Sequence, residues 1–365
     1  MTYSILSIVA NTVSQSGCSA YTYSLGSFQP YTRAPWYQFS EQLIDAVSSI
    51  LSTATSVKML TPSHQFAENG GTNPAFPFLT GHGGFHQIGP FGWLGLRTDG
   101  PMLLIDPALP PQIPQIALRT FYYGGATLKA FLNYTHTTIT RLPTTNTYVH
   151  DVYGAGPMPL GVGARKQDNY TLSINQTITI PNREYFSNLT QPHNLLQCRP
   201  VTSDASWVPG QFPLAAVDGA TSTRWQPATP DKASLTIDLS QVSIQPVIGL
   251  TFNWGPAPPD RADVLLSNSS NFEGVGTAHI PIEDITISRA YVADDTEVKV
   301  YTGNTTNIAI SNREQVWSGR YAKLVIEGTQ GEDDESGATV AEFGIIGVGG
   351  TLMAKRWSSV EAYRR

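Results

Sequence analysis

The sequence predicts a mixed fold, helical at the front and followed by two β-sandwich parts. Three observations carry that expectation. Apolar residues recur at 3.6-residue spacing near the start. From about residue 101 they alternate at period two in short runs. From about residue 198 the runs are shorter still and regularly punctuated by turn residues.

At the front, Ile5, Ile8, Val9 and Val13 fall on one helical face, and Ser16-Gly17 supplies a stop. Phe39, Leu43, Ile44, Val47 and Leu51 repeat the pattern after Pro35. Between them, residues 21–36 are rich in Tyr, Gln and Pro and are expected as a loop. Helix, long loop, helix is how an all-helical barrel displays a substrate site. A Gly-rich segment follows, through Asn69-Gly-Gly-Thr72, Leu79-Thr-Gly-His-Gly-Gly-Phe85 and Gly89-Pro-Phe-Gly-Trp-Leu-Gly95. Such glycine density permits close backbone approach and positive φ. It matches no Walker or dinucleotide pattern, which weighs against a phosphate cradle.

Asp106-Pro-Ala-Leu-Pro-Pro-Gln-Ile-Pro114 is turn and linker chemistry. After it, Ile116, Leu118 and Thr120, then Tyr170, Leu172 and Ile174, then Ile178 and Ile180 read as antiparallel strands. A second boundary lies near Cys198. Beyond it, Leu235 to Leu239, Val298 to Tyr301 and Lys323 to Ile326 have the rhythm of a β-sandwich. No internal repeat has a solenoid or propeller period. The expected divisions are therefore 1–100, 101–197, 198–350 and a basic tail, 351–365.

Charged residues make up only 14% of the 365, while the chain has 7 Trp and 16 Tyr. Ser, Thr, Asn and Gly must cover much of the surface, which suits an extracellular or vacuolar glycoprotein. The net charge of −6 argues against a nucleic-acid partner, which calls for a basic face. No run approaches the roughly 20 apolar residues that span a bilayer. Residues 1–10 lack the basic start of a signal peptide and are expected as a helix, so the signal is expected upstream of Met1. Glycosylation sequons stand at Asn133, Asn169, Asn175, Asn188, Asn268 and Asn304. Cys18 and Cys198 are too few for a disulfide framework, and their separation gives no reason to pair them. Two unrelated thiols are expected, and neither has metal-ligand spacing.

The strings Arg33-Ala-Pro-Trp-Tyr-Gln-Phe-Ser-Glu-Gln42 and Asn73-Pro-Ala-Phe-Pro-Phe-Leu-Thr-Gly-His-Gly-Gly84 resemble the fungal acid trehalases of glycoside hydrolase family sixty-five. Leu109-Pro-Pro-Gln-Ile-Pro114 and Ala130-Phe-Leu-Asn-Tyr-Thr-His-Thr-Thr138 continue the match, which runs in register to about residue 198. The resemblance implies an N-terminal β-sandwich, an (α/α)6 barrel and a C-terminal β-domain. This chain would begin partway through the barrel, with residues 1–100 its last helices and 101–197 the β-domain. Ala216-Val-Asp-Gly-Ala-Thr-Ser-Thr-Arg-Trp225, Leu235-Thr-Ile-Asp-Leu239 and Val340-Ala-Glu-Phe-Gly-Ile345 resemble a discoidin domain, or coagulation-factor type C domain. That implies an eight-stranded jelly roll of a kind that often binds sugars.

The family resemblance implies trehalose as substrate and inversion as the route. Inversion needs an acid, a base and room between them for water. It places the general acid upstream of this chain. Glu41, beside aromatic residues suited to a sugar face, is the first candidate for contact with water or sugar. Its alternative reading is a helix N-terminal acid favoured by the macrodipole. Glu68 ranks below it, because residues 46–67 depart from the family as an insert or an exon-boundary error. Trp36, Tyr37 and His82 are candidate sugar contacts. For His82 a structural bond to a loop carbonyl competes, and neither His82 nor His86 has a partner at metal-ligand spacing. Trp36, Tyr37, Phe85 and Trp93 are divided between sugar platform and core. Asp218, Thr223 and Glu342 resemble the holders of a structural calcium, with a plain Asp-Gly turn and a strand cap as the alternative. Trp225 is expected in the core and Trp254 in a sugar patch. No cofactor is expected for catalysis. Cell-wall glycans are a second partner class, and the location implied is extracellular, cell wall or vacuole. Two competing functions remain: a carbohydrate-binding protein without catalysis, and a phosphorolytic relative. Glu68, in Ala67-Glu-Asn-Gly-Gly-Thr72, would repel phosphate and weighs against the second.

Overall fold

The computed structural model describes residues 2–14, 17–41, 75–98, 100–144, 150–164, 167–183, 190–242, 245–273, 276–283, 285, 287, 304–310, 319–331 and 335–348. It is mostly β-sheet with few helices. The chain divides into two compact units: Met1–Ser14 with Tyr23–Glu184, and Gln15–Thr22 with Tyr185–Arg365. Apart from Gln15–Thr22, the front of the chain and the first β-region fall in one unit. No helix among the described residues is long and apolar enough to cross a membrane.

In the first unit, α1 (Thr2–Val13) forms where the periodicity places it, but turned over. Ser4, Ser7, Ala10 and Asn11 are buried, while Ile5, Val9 and Val13 are 59%, 46% and 65% exposed. Small and hydrogen-bonding residues let the helix approach its neighbours closely. Asn11 Nδ2 donates to Gly92 O at 2.8 Å and to Ala108 O at 3.1 Å.

A second helix, α2 (Cys18–Phe28), replaces the loop expected over residues 21–36. Its polar residues satisfy themselves locally: Thr22 Oγ1 donates to Cys18 O and Ser27 Oγ to Ser24 O. Hydroxyls bonded back to the helix can be buried at little cost, so a Ser/Tyr-rich helix fits against a packed neighbour. Two short strands, β1 (Thr32–Arg33) and β2 (Gln38–Phe39), then make an antiparallel hairpin.

The Gly-rich stretch was also expected as loop. Instead it holds a helix, α3 (Leu79–His86), and a π-helical turn, Ile88–Trp93. A side chain at Gly81 would sit 3.1 Å from the Phe39 ring, so its absence lets α3 lie on β2.

The rest of the unit is two sheets over one apolar core. One has the order β3-β7-β8 (Leu103–Ile105, Met158–Val162, Asp168–Leu172). The other has the order β4-β5-β6-β9 (Gln115–Tyr123, Ala126–Asn133, His136–Leu142, Thr177–Pro181). Leu103, Leu128, Leu132, Ile139, Met158, Leu160 and Leu172 fill the core. Gly124 and Gly125 have φ of 53° and 83°, as a two-residue turn twisted to match its strands requires. Arg141 is fully buried and bonds Asp151 Oδ2 at 3.0 Å, Gly154 O, Gly156 O and Leu172 O. Burial raises the Asp151 carboxyl, but the bonds from Arg141 and from the Tyr153 amide outweigh it and hold the group below its ordinary value.

The second unit is a sandwich of eight described antiparallel strands. The larger sheet runs β10-β11-β16-β13-β14 (Val201–Ser203, Ala233–Asp238, Tyr321–Glu327, Arg261–Ser267, Ala278–Ile282). The smaller runs β15-β12-β17 (Thr305–Ala309, Val247–Asn253, Glu342–Gly347). Burial alternates along β13 and β16, and Leu235, Leu250, Phe252, Val264, Leu324, Phe343 and Ile345 share one core. The strands expected near Leu235, Lys323 and Val340 are β11, β16 and β17. That expected at Val298 to Tyr301 lies outside the described residues.

The two cysteines are not unrelated thiols. Cys18, at the start of α2, is disulfide-bonded to Cys198, with the Cα atoms 5.6 Å apart and 180 residues between them in sequence. Both belong to the second unit, so the bond closes a ring of chain that contains most of the first. A loop of that length implies about 5 kcal/mol of unfolded-state entropy removed, on the chain-entropy account.

Two outcomes follow for stability. Cys198→Ser, or mild reduction, lowers the melting temperature of the second unit, and a non-reducing peptide map recovers the two cysteine peptides as one species. Asp151→Asn leaves a buried guanidinium without its counter-charge and costs about 3–5 kcal/mol at neutral pH. Because the Asp151 value is depressed, that contribution is lost as the pH falls through it, so denaturant melts of variant and parent converge in acid.

Candidate functional site

The structure gathers part of the expected sugar site on the β1–β2 hairpin. Trp36 and Tyr37 form its tip, 81% and 70% exposed, and Tyr37 has a left-handed φ of 51°. A non-glycine residue there is held by its surroundings rather than by preference. His82 on α3 backs the hairpin. Its Nε2 accepts from the Phe39 amide at 3.2 Å, and its ring lies 4.6 Å from that of Phe39. The bond makes Nε2 the acceptor, which leaves the proton on Nδ1.

Glu41 follows β2 and is the last described residue before 42–74, so its reading as a helix N-terminal acid falls on a segment outside the described residues. One carboxylate oxygen accepts from the Ala75 amide at 2.8 Å, and its own amide donates back to Ala75 O at 3.0 Å. Glu41 thus fastens the chain on either side of residues 42–74. Glu68 lies outside the described residues, as does the segment 46–67. Phe85 packs against Phe28 and Phe39, at centroid distances of 5.1 and 6.0 Å. Trp93 packs on the apolar core of its unit, and its buried indole nitrogen has no hydrogen-bond partner among the described residues.

In the second unit, a short 3-10 helix, Pro213–Val217, delivers Asp218, and β17 begins at Glu342. Asp218 is fully buried. Its carboxylate accepts from the Ala220 amide at 2.9 Å and from Thr223 Oγ1 at 2.8 Å, with a further bond from Thr22. Glu342 accepts from the Gly219 amide. The two carboxyl groups are hydrogen-bonded to each other. Gly219 turns the chain with φ of 83°, and a side chain there would meet Gln197 Nε2 at 2.7 Å.

Burial pushes Asp218 up to about 7, against hydrogen bonds from Thr22, Thr223 and Ala220 that lower it. Burial, and then the charge of Asp218, hold Glu342 well above the ordinary carboxylate range. Among the described residues no basic side chain lies within ion-pair distance of Glu342. One proton shared across the contact relieves the charge, and the Gly219 and Ala220 amides and the Thr223 hydroxyl converge on the same two carboxyl groups. Among the described residues no group of three or more His, Cys, Asp and Glu converges.

Other placements differ from expectation. Trp254 is no sugar patch: it is 1% exposed, stacks on Phe252 at 4.5 Å, and donates from Nε1 to Thr306 Oγ1. Trp225 is fully buried in the core. Asn133, Asn169, Asn175 and Asn268 are exposed, Asn188 lies outside the described residues, and Asn304 is 2% exposed. An exposed Trp207, 39% accessible, escaped the sequence reading because it stands in no periodic pattern.

Comparison with known proteins gives these relationships. No family model matches the chain. It is 40% identical to the cell wall acid trehalase of Arthroderma benhamiae across 95% of its own length and 34% of that protein's. It is 40% identical to the acid trehalase of Emericella nidulans, over 95% of its length and 33% of the relative's. It is 30% identical to the periplasmic/secreted acid trehalase of Candida glabrata over 66% of its length. The chain therefore spans about a third of the length of the first two of these relatives. Among solved structures, chitosan-binding module 1 of a Paenibacillus chitosanase/glucanase covers 42% of the chain at TM-score 0.30 and 22% identity. A Clostridium perfringens module, CpGH89CBM32-4, covers 42% at TM-score 0.29 and 18% identity. Likeness at that level assigns no ligand. The chain is a homologue of fungal acid trehalases along nearly its whole length.

Proposed function

We propose that this chain is the closing portion of an α,α-trehalase of glycoside hydrolase family sixty-five, acting outside the cell or in the wall. One observation carries the reading: 40% identity to two acid trehalases, sustained across 95% of the chain. The names of the relatives give cell wall and periplasm as locations and lend the vacuolar alternative no support. On this reading α1 to α3 are the last helices of an (α/α)6 barrel. The paired sheets after them are the hydrolase's β-domain, and the second unit is a discoidin-type sandwich. Trehalose is the substrate, and wall glycans are a second class of ligand.

The proposed reaction inverts the anomeric carbon. An acid protonates the bridging oxygen while a base activates water, with the two carboxyl groups ~6.5–9.5 Å apart. The pair that this chain does bring together, Asp218 and Glu342, is in contact and leaves no space for that water. Glu41 carries an amide bond on one oxygen and keeps the other for water or sugar. Trp36 and Tyr37 offer apolar faces and polar edges to a sugar ring. The general acid belongs to polypeptide outside this sequence. Purified residues 1–365 are expected to release no glucose from trehalose above buffer, whereas the Arthroderma benhamiae relative does. Robust release by the 365-residue chain would refute the division of labour.

Asp218, Thr223 and Glu342 are proposed as calcium holders. Calcium would neutralise the two carboxylates and fasten the 3-10 helix to β17, a structural service away from the chemistry. Without metal the sign of the pH dependence follows from Asp218. Its value rises from 3.8 unfolded to about 7 folded, so its stabilising contribution is whole below the unfolded value and drains away as the pH rises through the folded one. Metal-free protein is expected to melt higher at about pH 5 than at about pH 8, calcium to close that gap, and Asp218→Asn to flatten both effects. A melting temperature indifferent to calcium at the higher pH would rule the site out.

A further inference from the structure

The six sequons are chemically alike in sequence, but the fold treats their amide groups differently. We infer that N-linked glycans attach at Asn133, Asn169, Asn175 and Asn268 and that Asn304 stays bare. Attachment forms a bond between Asn Nδ2 and the anomeric carbon of a sugar. The donor is an oligosaccharide activated by a lipid diphosphate. The carbon–oxygen bond to the diphosphate breaks, the lipid diphosphate leaves, and Nδ2 gives up one proton. Whichever atom of the side-chain amide the fold already uses therefore decides compatibility.

At the exposed sites the fold uses the oxygen and leaves the nitrogen to solvent. Asn133 Oδ1 accepts from the Thr135 amide at 2.9 Å, from Thr135 Oγ1 at 3.2 Å and from the His136 amide at 2.8 Å. Asn169 Oδ1 accepts from Gln167 Nε2 at 2.6 Å. Asn268 Oδ1 accepts from the Arg320 amide at 3.2 Å. Asn175 stands on the turn between β8 and β9 with φ of 64°, its side chain in solvent. An N-linked sugar keeps the amide oxygen, so each of these bonds survives modification.

Asn304 is the reverse case. It is 2% exposed, and its Nδ2 donates to Gly255 O at 2.6 Å. The hydroxyl of the same triplet is also committed: Thr306 Oγ1 accepts from Trp254 Nε1 at 2.9 Å. The Trp254 amide in turn donates to Asn304 O at 2.8 Å. Both sequon side chains thus fasten the Trp254-Gly255 corner where β12 leaves the sandwich. A glycan on Nδ2 would have to displace buried backbone, and a buried carbonyl without its donor is costly. The triplet Asn304-Thr-Thr306 is thus a structural clasp that matches a sequon by coincidence.

The test is a site map. The 365-residue chain is secreted from a eukaryotic host behind a signal peptide, and folded protein is recovered. Its glycans are then released enzymatically in ¹⁸O water, so that every occupied asparagine is marked as labelled aspartate. The mark is expected at Asn133, Asn169, Asn175 and Asn268 in most molecules and at Asn304 in essentially none. Two variants separate modification from packing. Asn169→Gln is expected to remove one glycan's mass and leave the melting temperature unchanged. Thr306→Val, which destroys the other triplet, is expected to remove no mass and lower the melting temperature. A glycan on Asn304 in folded protein, an unmarked residue among the four, or mass lost with Thr306→Val would each overturn the assignment.

Discussion

The contact between the Asp218 and Glu342 carboxyl groups is the constraint around which the second unit is arranged. Two acids are taken out of water side by side: burial raises both, and the charge of Asp218 raises Glu342 further. Left as two bare anions they would be strongly destabilising, since an unpaired buried charge costs several kcal/mol. The surrounding chain supplies what dipoles can: amides from Gly219 and Ala220, and hydroxyls from Thr22 and Thr223. Those donors come from α2 and from the turn after the 3-10 helix, and they meet a carboxyl group at the start of β17. Their assembly at one point joins segments far apart in sequence. A shared proton relieves the remaining charge in acid, and the proposed calcium would do so near neutrality.

The disulfide acts on the same neighbourhood by a different route. Cys18 stands four residues before Thr22 on α2, and Cys198 lies beside Gln197, whose Oε1 is bonded by Thr190. The bridge therefore keeps the first turns of α2 with the second unit, where Thr22 is needed against Asp218. A covalent tie across so long a span is a natural partner for a polar seam, which holds only while its members remain in register.

Much of the β-structure was legible and much of the helical structure was not, for physical reasons. Strands β4, β11 and β16 show period two because one face meets a core and the other meets solvent. Helical periodicity is weaker evidence, because it finds a face without saying which way the face looks. In α1 the apolar face looks outward and Ser4, Ser7 and Asn11 look in. α2 was hidden because its hydroxyls bond within the helix, leaving a composition that reads as loop. Over the Gly-rich stretch, glycine's allowance for close approach was read as loop chemistry, whereas at Gly81 it lets a helix lie on Phe39. A pairing across 180 residues leaves no local trace, so the disulfide could not be read.

The candidate site divides in the same way. Trp36 and Tyr37 share the hairpin tip because they are neighbours in sequence, whereas His82 reaches the hairpin from α3, 43 residues beyond the Phe39 amide it accepts from. Gly219, next to Asp218, and Glu342 are 123 residues apart, and only resemblance to a known domain brought the two acids together as candidates. The most direct measurement is calorimetric titration of calcium into metal-free protein at neutral pH, repeated in buffers of differing ionisation heat. The account expects saturable binding that releases about one proton per calcium, abolished by Asp218→Asn. Absence of binding heat, or binding with no proton released and no response to Asp218→Asn, would contradict it.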